Sequence, residues 1–347
     1  MSPGHLLEID APLRECFSAA LSDMDGVLFR GNTPVEQAAD AVAAAREYGL
    51  EFVFVTNNAS RPPDLAAAKL GSMRIPAKSG DVVTAAEAGV KLMAEDMEPG
   101  ARVLVVGGNG LTGAVTGAGF ELVAAASELP QAVIQGWSPA LTWRDLEEAC
   151  YAIEAGAAYY ATNLDRNIPT ESGLAPGNGA MVQAVVLTTG VRPKASGKPD
   201  PLIFRLAASR RGAGNPLVIG DRLDTDMAGA KNAGYVGLLV LTGVTSAADV
   251  LTAAPHERPQ LIARDLTALA RPHAAPVQRE GRWICGEAVA WVDGNRLAVN
   301  DGPAGEELDP ALDGPSNEVV RAAAAAVWEA MDRGVIFDPA SIPNSFR

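Results

Sequence analysis

Leu21-Ser22-Asp23-Met24-Asp25-Gly26-Val27-Leu28 decides how the rest of the chain is read. Ala19 to Ser22 have the character of a short buried strand, and Gly26 permits a sharp backbone exit. Asp23 and Asp25 stand at i and i+2, a spacing that puts both on one face of an extended strand. The carboxyl end of a parallel strand is where α/β sheets bind ligands. At such an edge one carboxylate can attack phosphorus while the other handles the leaving-group proton. The same residues also suit a solvated Asp-x-Asp-Gly turn, so the choice rests on their partners.

Downstream, Thr33-Pro34-Val35-Glu36 predicts a helix start with a capping box, the helix running from Ala38 to Tyr48 and ending at Gly49. Glu51 to Thr56 reads as a buried strand that leads into Asn57-Asn58. From about Val82 to Arg192 the alternation starts afresh: strands at 102–107, 132–135 and 158–162, helices at 111–119 and 142–156. Gly107-Gly108-Asn109-Gly110 lacks the full spacing of a dinucleotide fingerprint. The first pattern then resumes with a helix at 202–210, a strand at 217–220, a helix at 227–233 and a strand at 237–241. Trp283 to Val299 predicts a hairpin turning at Asp293-Gly294, and Asn317 to Arg333 an Ala-rich helix capped by Ser316. The expectation is an α/β protein with a doubly wound parallel sheet (1–81 and 193–270) and an inserted α/β cap domain (82–192). A C-terminal extension (271–347) either forms a small α+β unit or packs on the sheet domain.

A formal charge of −14 argues against nucleic acid or an anionic membrane as partner. It leaves room for a small phosphorylated metabolite, because a local Mg²⁺ reverses the field at one site. The three cysteines have no metal-ligand or CxxC spacing, which suits free thiols in a reducing compartment. No membrane-length apolar run and no cationic leader are visible, so the expected location is the cytoplasm.

Four segments are expected at one sheet edge: Asp23 with Asp25, Thr56 with Asn57 and Asn58, Lys198, and Asp221 with Asp226. A phosphate ester repels an anionic nucleophile, and a divalent cation plus an ammonium offset that repulsion. Asp23, Asp221 and a nearby carbonyl offer the hard oxygens that Mg²⁺ prefers. The Thr56 hydroxyl and the next N–H can bind phosphate oxygens, and Lys198 can neutralise them. Taken singly, Thr56-Asn57-Asn58 also reads as a strand end, Lys198 as a loop lysine, and Asp221 to Asp226 as an acidic helix start. Their joint occurrence in this order favours the catalytic reading. His5, His256 and His273 fall outside these segments, which speaks against histidine-based hydrolysis and zinc chemistry.

Asp23-Met-Asp25-Gly-Val, Val55-Thr56-Asn57-Asn58, Gly197-Lys198-Pro199 and Gly220-Asp221-Arg-Leu-Asp224-Thr-Asp226 resemble the four motifs of haloacid-dehalogenase-superfamily phosphatases. More narrowly they resemble the NagD-type branch, whose cap is inserted between the second and third motifs. Asn163-Leu-Asp165 and Pro176-Gly-Asn-Gly179 resemble cap segments of that branch. The resemblance implies an aspartyl-phosphate mechanism with Asp23 as nucleophile and Asp25 as general acid, then base. It further implies Mg²⁺ held by Asp23, the Asp25 carbonyl and Asp221, with Asp226 in support. Asn163 and Asp165 are substrate-binding candidates, although a simple loop turn explains them equally. Arg61 is a second-tier candidate, an exposed loop arginine being the plainer reading.

A chain with this tail is similar to actinobacterial glycerol-3-phosphate phosphatases, whose extra piece resembles part of an acetyltransferase fold. No Gly-rich pyrophosphate loop lies between Arg271 and Arg347, so the tail is expected to serve as a scaffold or a homodimer contact rather than in acetyl transfer. The expected activity is Mg²⁺-dependent hydrolysis of glycerol 3-phosphate or a similar polyol phosphate. The rivals are a broad phosphatase for phosphoglycolate, sugar phosphates or nucleotides, and a non-catalytic phospholigand sensor.

Overall fold

The computed structural model describes residues 6–170, 172–301 and 315–346. It divides into two compact units, Met1–Phe52 with Ala213–Arg347, and Val53–Gly212.

In the first unit the strands Ala19–Ser22, Pro216–Gly220, Val236–Val240 and Leu261–Ala263 lie side by side in that order, all parallel. Apart from Val236 at its start, every residue of this sheet is buried, as expected for strands covered on both faces. Register matters here: Ser22 stands opposite Ile219, and the Asp23 N–H donates to the Ile219 carbonyl at 2.8 Å. The acids that follow the two strands therefore leave the sheet side by side. After Pro216–Gly220 the chain makes a π-helical turn, Leu223–Met227, before the α-helix Ala228–Ala233 closed by Gly234 in the left-handed region.

The segment after the first strand differs from the expected helix start. Phe29–Arg30 and Thr33–Pro34 pair as a small antiparallel hairpin, and the helix begins only at Ala38. Gly31 at φ 56 supplies the left-handed residue that such a tight hairpin turn requires. Thr33-Pro34-x-Glu36 imitates a capping box, but Thr33 is spent in the hairpin; Gln37 takes the N-cap position with no side-chain cap.

The C-terminal residues form more sheet than one hairpin. Four antiparallel strands, Val277–Arg279, Arg282–Cys285, Ala288–Asp293 and Arg296–Asp301, run in sequence order. Gly286 breaks the expected long first arm at φ 58, and Gly294 makes the expected turn at φ 61. The helix Asn317–Asp332, capped by Ser316, buries ten of its 16 residues and keeps most of its charged residues on one stripe, the pattern of a helix covered on more than one side. Its Val319, Val320, Val327 and Trp328 share one core with Ala288 and Ala290 of the tail sheet and Leu239, Val250 and Ile262 of the parallel-sheet region. Polar side chains pin the same junction. Trp328 Nε1 donates to the Val250 carbonyl at 2.9 Å, and Arg321 Nε and Nη2 donate to the Ile262 carbonyl at 3.0 and 2.8 Å.

In the second unit, Phe54 to Thr56 pair in parallel with the strand Val82–Thr84. A separate five-stranded parallel sheet takes the order Lys194–Ala195, Ala158–Ala161, Ala132–Gln135, Arg102–Val106, Glu121–Val123. The helices Trp143–Glu154 and Asn178–Thr189 pack on it, closing a core of Leu104, Val133, Ile153, Tyr159, Val182 and Val185. Thr142 caps the first of these helices in a reciprocal box with Asp145. No helix among the described residues is long and apolar enough to cross a membrane.

Candidate active site

Three carboxylates converge in the first unit. Asp23, Asp221 and Asp226 are all buried, and each offers an oxygen within 4.8 Å of the other two. Among the described residues they form the one group of acidic, histidine or cysteine side chains so gathered. The strands explain it: Asp23 and Asp221 each follow the last residue of a buried strand, and the wide turn Leu223–Met227 swings Asp226 back over Gly220. There the Asp226 Oδ2 accepts the Arg222 N–H at 3.2 Å.

The backbone around the cluster is cut to fit carboxylates. A Cβ at Gly26 or Gly243 would collide with the Asp221 side chain, and one at Gly220 with that of Asp226. Gly26 moreover sits at φ 86, where L side chains are strained. The Asp221 Oδ2 accepts the Val244 N–H at 2.7 Å, and its carbonyl accepts the Thr245 N–H at 3.2 Å. Buried like charges at this spacing repel strongly and favour a cation among them. Three hard oxygens of this kind suit Mg²⁺, so the residues present fit that ion.

Asp25 behaves differently from Asp23. The strand ends at Ser22, and the turn leaves Asp23 buried while Asp25 is exposed, its Oδ1 accepting the Gly31 N–H at 3.3 Å. One acid is thus held in the cluster and its neighbour is presented to solvent, an arrangement that lets the two take different roles.

The second unit holds the other sequence candidates in a connected amide network. Lys198 is buried, with 4% of its surface exposed. Asn57 grips its backbone, Oδ1 accepting the Lys198 N–H at 2.8 Å while Nδ2 donates to the Lys198 carbonyl at 3.1 Å. The same Nδ2 reaches the Asp165 carboxylate at 3.1 and 3.2 Å. Asn163 donates to the Asn57 carbonyl at 2.7 Å and accepts the Asp165 N–H at 3.2 Å. Behind it the buried Asn178 donates to the Asn163 carbonyl at 2.8 Å. Thr56 Oγ1 accepts the Asn58 N–H at 3.1 Å, and Asn58 Oδ1 accepts from both Ser60 N–H and hydroxyl at 2.8 Å. Arg61 is exposed. The side chains of Asn57, Asn58 and Asn163 are thus spent on the loop backbone.

Sequence reasoning passed over Gly243 and Val244, which line the Asp221 carboxylate, Thr242 beside them, which bonds to the Gly26 carbonyl, and Asn178, which backs the amide network. A signal for Thr242 existed: it is a hydroxyl residue just past the buried strand Val236–Val240, the same cue that singles out Asp221 after Gly220.

Comparison with known proteins agrees with this geometry. A sequence model of haloacid dehalogenase-like hydrolases matches residues 20–121, and a HAD-hydrolase-like model matches residues 195–269. The chain is 42% identical to a D-glycerol 3-phosphate phosphatase of Mycobacterium tuberculosis over 311 residues, 89% of this chain and 85% of the relative. It is 36% identical to an acid sugar phosphatase of Staphylococcus aureus over 236 residues, 67% of this chain and 90% of that one. Among solved structures, a glycerol phosphate phosphatase from Mycobacterium tuberculosis in complex with magnesium superposes with a TM-score of 0.80 at 39% identity, covering 94% of this chain and 93% of its own. A p-nitrophenyl phosphatase from Archaeoglobus fulgidus superposes with a TM-score of 0.68 at 28% identity, covering 73% and 98%.

Proposed function

This chain belongs to the haloacid dehalogenase-like hydrolase family, and we propose that within it the protein is a Mg²⁺-dependent phosphomonoester phosphatase acting on glycerol 3-phosphate. The observation that carries the chemistry is the buried triad of Asp23, Asp221 and Asp226 with oxygens within 4.8 Å of one another. The substrate assignment is supported by the relationship to a D-glycerol 3-phosphate phosphatase, which extends over 89% of the chain and so into the C-terminal extension. The three free cysteines suit a cytoplasmic setting. The shared core of tail and parallel-sheet region supports a scaffold role for the extension.

In this reading Asp23 is the nucleophile. Its carboxylate attacks phosphorus, the ester P–O bond breaks, and Asp25 gives its proton to the departing alkoxide. Asp25, now a carboxylate, takes a proton from the water that attacks the phosphoryl-Asp23 carbonyl-ester linkage at phosphorus. Inorganic phosphate leaves and both acids return to their starting forms. Asp23, Asp221 and Asp226, with the Asp25 carbonyl, would hold Mg²⁺, which when bound neutralises phosphoryl charge. Lys198 supplies the second positive charge, and Thr56 with the Asn57 N–H binds phosphoryl oxygens. Asn57 and Asn58 act mainly by shaping the loops. Asn163 and Asp165 tie the cap segment to Asn57, and Arg61 is an outer contact for substrate.

The rival within the class is broader sugar-phosphate hydrolysis, favoured by the acid sugar phosphatase relative. Steady-state rates across a panel of glycerol 3-phosphate, phosphoglycolate, sugar phosphates and nucleotides, with and without EDTA, decide between them. The expected result is EDTA-sensitive turnover with highest kcat/KM for glycerol 3-phosphate. A flat panel would favour the rival, and no turnover of any ester would leave the sensor.

A further inference from the structure

We propose that Thr242 is a positioning residue for the phosphoryl-transfer site: its hydroxyl staples the nucleophile turn to the loop that grips Asp221, and thereby fixes the spacing of the Asp23 and Asp221 carboxylates. The inference rests on the phosphatase reading of that carboxylate cluster and adds a residue to it.

Thr242 is buried two positions past the strand Val236–Val240. Its Oγ1 donates to the Gly26 carbonyl at 2.6 Å, across 216 residues of sequence. Gly26 belongs to the turn that begins at Asp23, where its own N–H donates to the Phe29 carbonyl at 2.7 Å. From the other side of that hairpin, Arg30 Nε donates to the Thr242 carbonyl. Thr242 therefore receives one link from the hairpin and gives another to the turn.

The two segments that the staple joins border the same carboxylate. Gly26 and Gly243 are the two positions at which a Cβ would strike Asp221, so the carboxylate lies in a slot between the turn and the loop. Val244 N–H then fixes one of its oxygens at 2.7 Å. The width of that slot is set by whatever holds Gly26 to the 242–244 segment, and the Thr242 hydroxyl is the direct bond between them. Packing does not do this alone. The outer side of the loop opens on a cavity of about 600 Å³ whose lining includes Arg30, Thr245, Ser246, Arg264 and Phe346. A loop with open space on one face keeps its position through hydrogen bonds.

Removing a buried hydroxyl that makes one good hydrogen bond corresponds to about a tenfold change in an equilibrium or rate constant. Thr242→Val keeps the shape and deletes the donor. Its Mg²⁺ affinity, read by calorimetry on metal-free protein without substrate, is expected to fall about tenfold. At saturating Mg²⁺, kcat is expected to fall by a similar factor, with KM for the phosphate ester within about twofold. Thr242→Ser restores the hydroxyl and is expected to recover both. If thermal melting shows that the valine variant does not fold, Thr242→Ala serves for the same readings. Wild-type affinity and kcat in the hydroxyl-less variant, or a serine variant as impaired as the valine one, would overturn the staple while leaving the phosphatase reading intact. A wild-type protein that binds no Mg²⁺ would overturn both.

Discussion

Asn57 holds Lys198 by both ends of its peptide unit, accepting from its N–H at 2.8 Å and donating to its carbonyl at 3.1 Å. A lysine on a loop is a mobile charge. Two hydrogen bonds from one planar carboxamide fix the Cα and so limit where the ammonium can go. Asn57→Ala removes both and strands the Lys198 N–H. The expected outcome is a drop in kcat of about 30- to 150-fold, from roughly 2–3 kcal/mol of lost positioning. Steady-state kinetics check it, with circular dichroism confirming the fold; an unchanged kcat would show that Lys198 places itself.

The three carboxylates proposed to hold Mg²⁺ are expected to act as a set. Asp221→Asn keeps an oxygen but loses the charge in a cluster of three buried acids. Its half-saturating Mg²⁺ concentration should rise by at least about a hundredfold, a loss of roughly 3 kcal/mol. Asp224, exposed and paired with Arg222 at 2.9 Å, lies outside the cluster, and Asp224→Asn should leave the Mg²⁺ titration unmoved. Activity measured against free Mg²⁺ separates the two.

The tail is expected to be a load on stability rather than on chemistry. Trp328 is 2% exposed, hydrogen-bonded to the Val250 carbonyl, and lies 5.3 Å from the Arg258 guanidinium, which pairs with Asp332 at 2.7 Å. Trp328→Ala should cost about 3–5 kcal/mol in urea unfolding. A chain ending at Arg271 would expose Leu239, Val250 and Ile262 and is expected to be recovered in the insoluble fraction. A truncated chain that is soluble and melts like the full one would contradict this.

His273 gives stability a pH dependence. Its Nδ1 lies 2.7 Å from the Leu7 carbonyl and its Nε2 accepts the Ile262 N–H at 3.1 Å, so the neutral Nδ1–H form satisfies both partners. Burial, and after it the Arg321 guanidinium, push its pKa down to about 4 from 6.5. The unfolded chain therefore binds this proton more readily than the folded one. Stability rises with pH through the window from 4 to 6.5 and is fully present above it. The group should account for about 3 kcal/mol between the two ends. Urea unfolding at pH 7 and pH 5 should show the loss in wild type and a smaller one in His273→Gln, whose amide can serve both partners without titrating.

The sequence shows the carboxylate triad because each member obeys a local rule: an acid directly after an apolar strand, or one turn into the segment that follows. The parallel strands are legible for the same reason, being short runs such as Leu217 to Gly220 with glycine at the exit. What escapes is fixed by contacts far along the chain. The side-chain partners of Asn57 lie 108 and 141 residues away, so its hold on Lys198 and Asp165 shows only when the loops are seen together. The hairpin at Phe29–Arg30 hides behind a Thr-Pro-x-Glu pattern that satisfies a helix-cap rule equally well. The tail helix is found by its alanines and its Ser316 cap, but nothing local says that it is covered from more than one side. Thr242 has only the local cue of a hydroxyl just past a strand, and its task shows once Gly26, 216 residues away, stands against it.

The most direct test of the central claim is acid quenching during turnover of glycerol 3-phosphate, followed by peptide mass mapping. The account predicts a phosphoryl group on the peptide containing Asp23 in the wild-type protein. It predicts none in Asp23→Asn, which should fold normally and release no phosphate above background. Sustained phosphate release by Asp23→Asn, or a phosphoryl group carried by a residue other than Asp23, would contradict it.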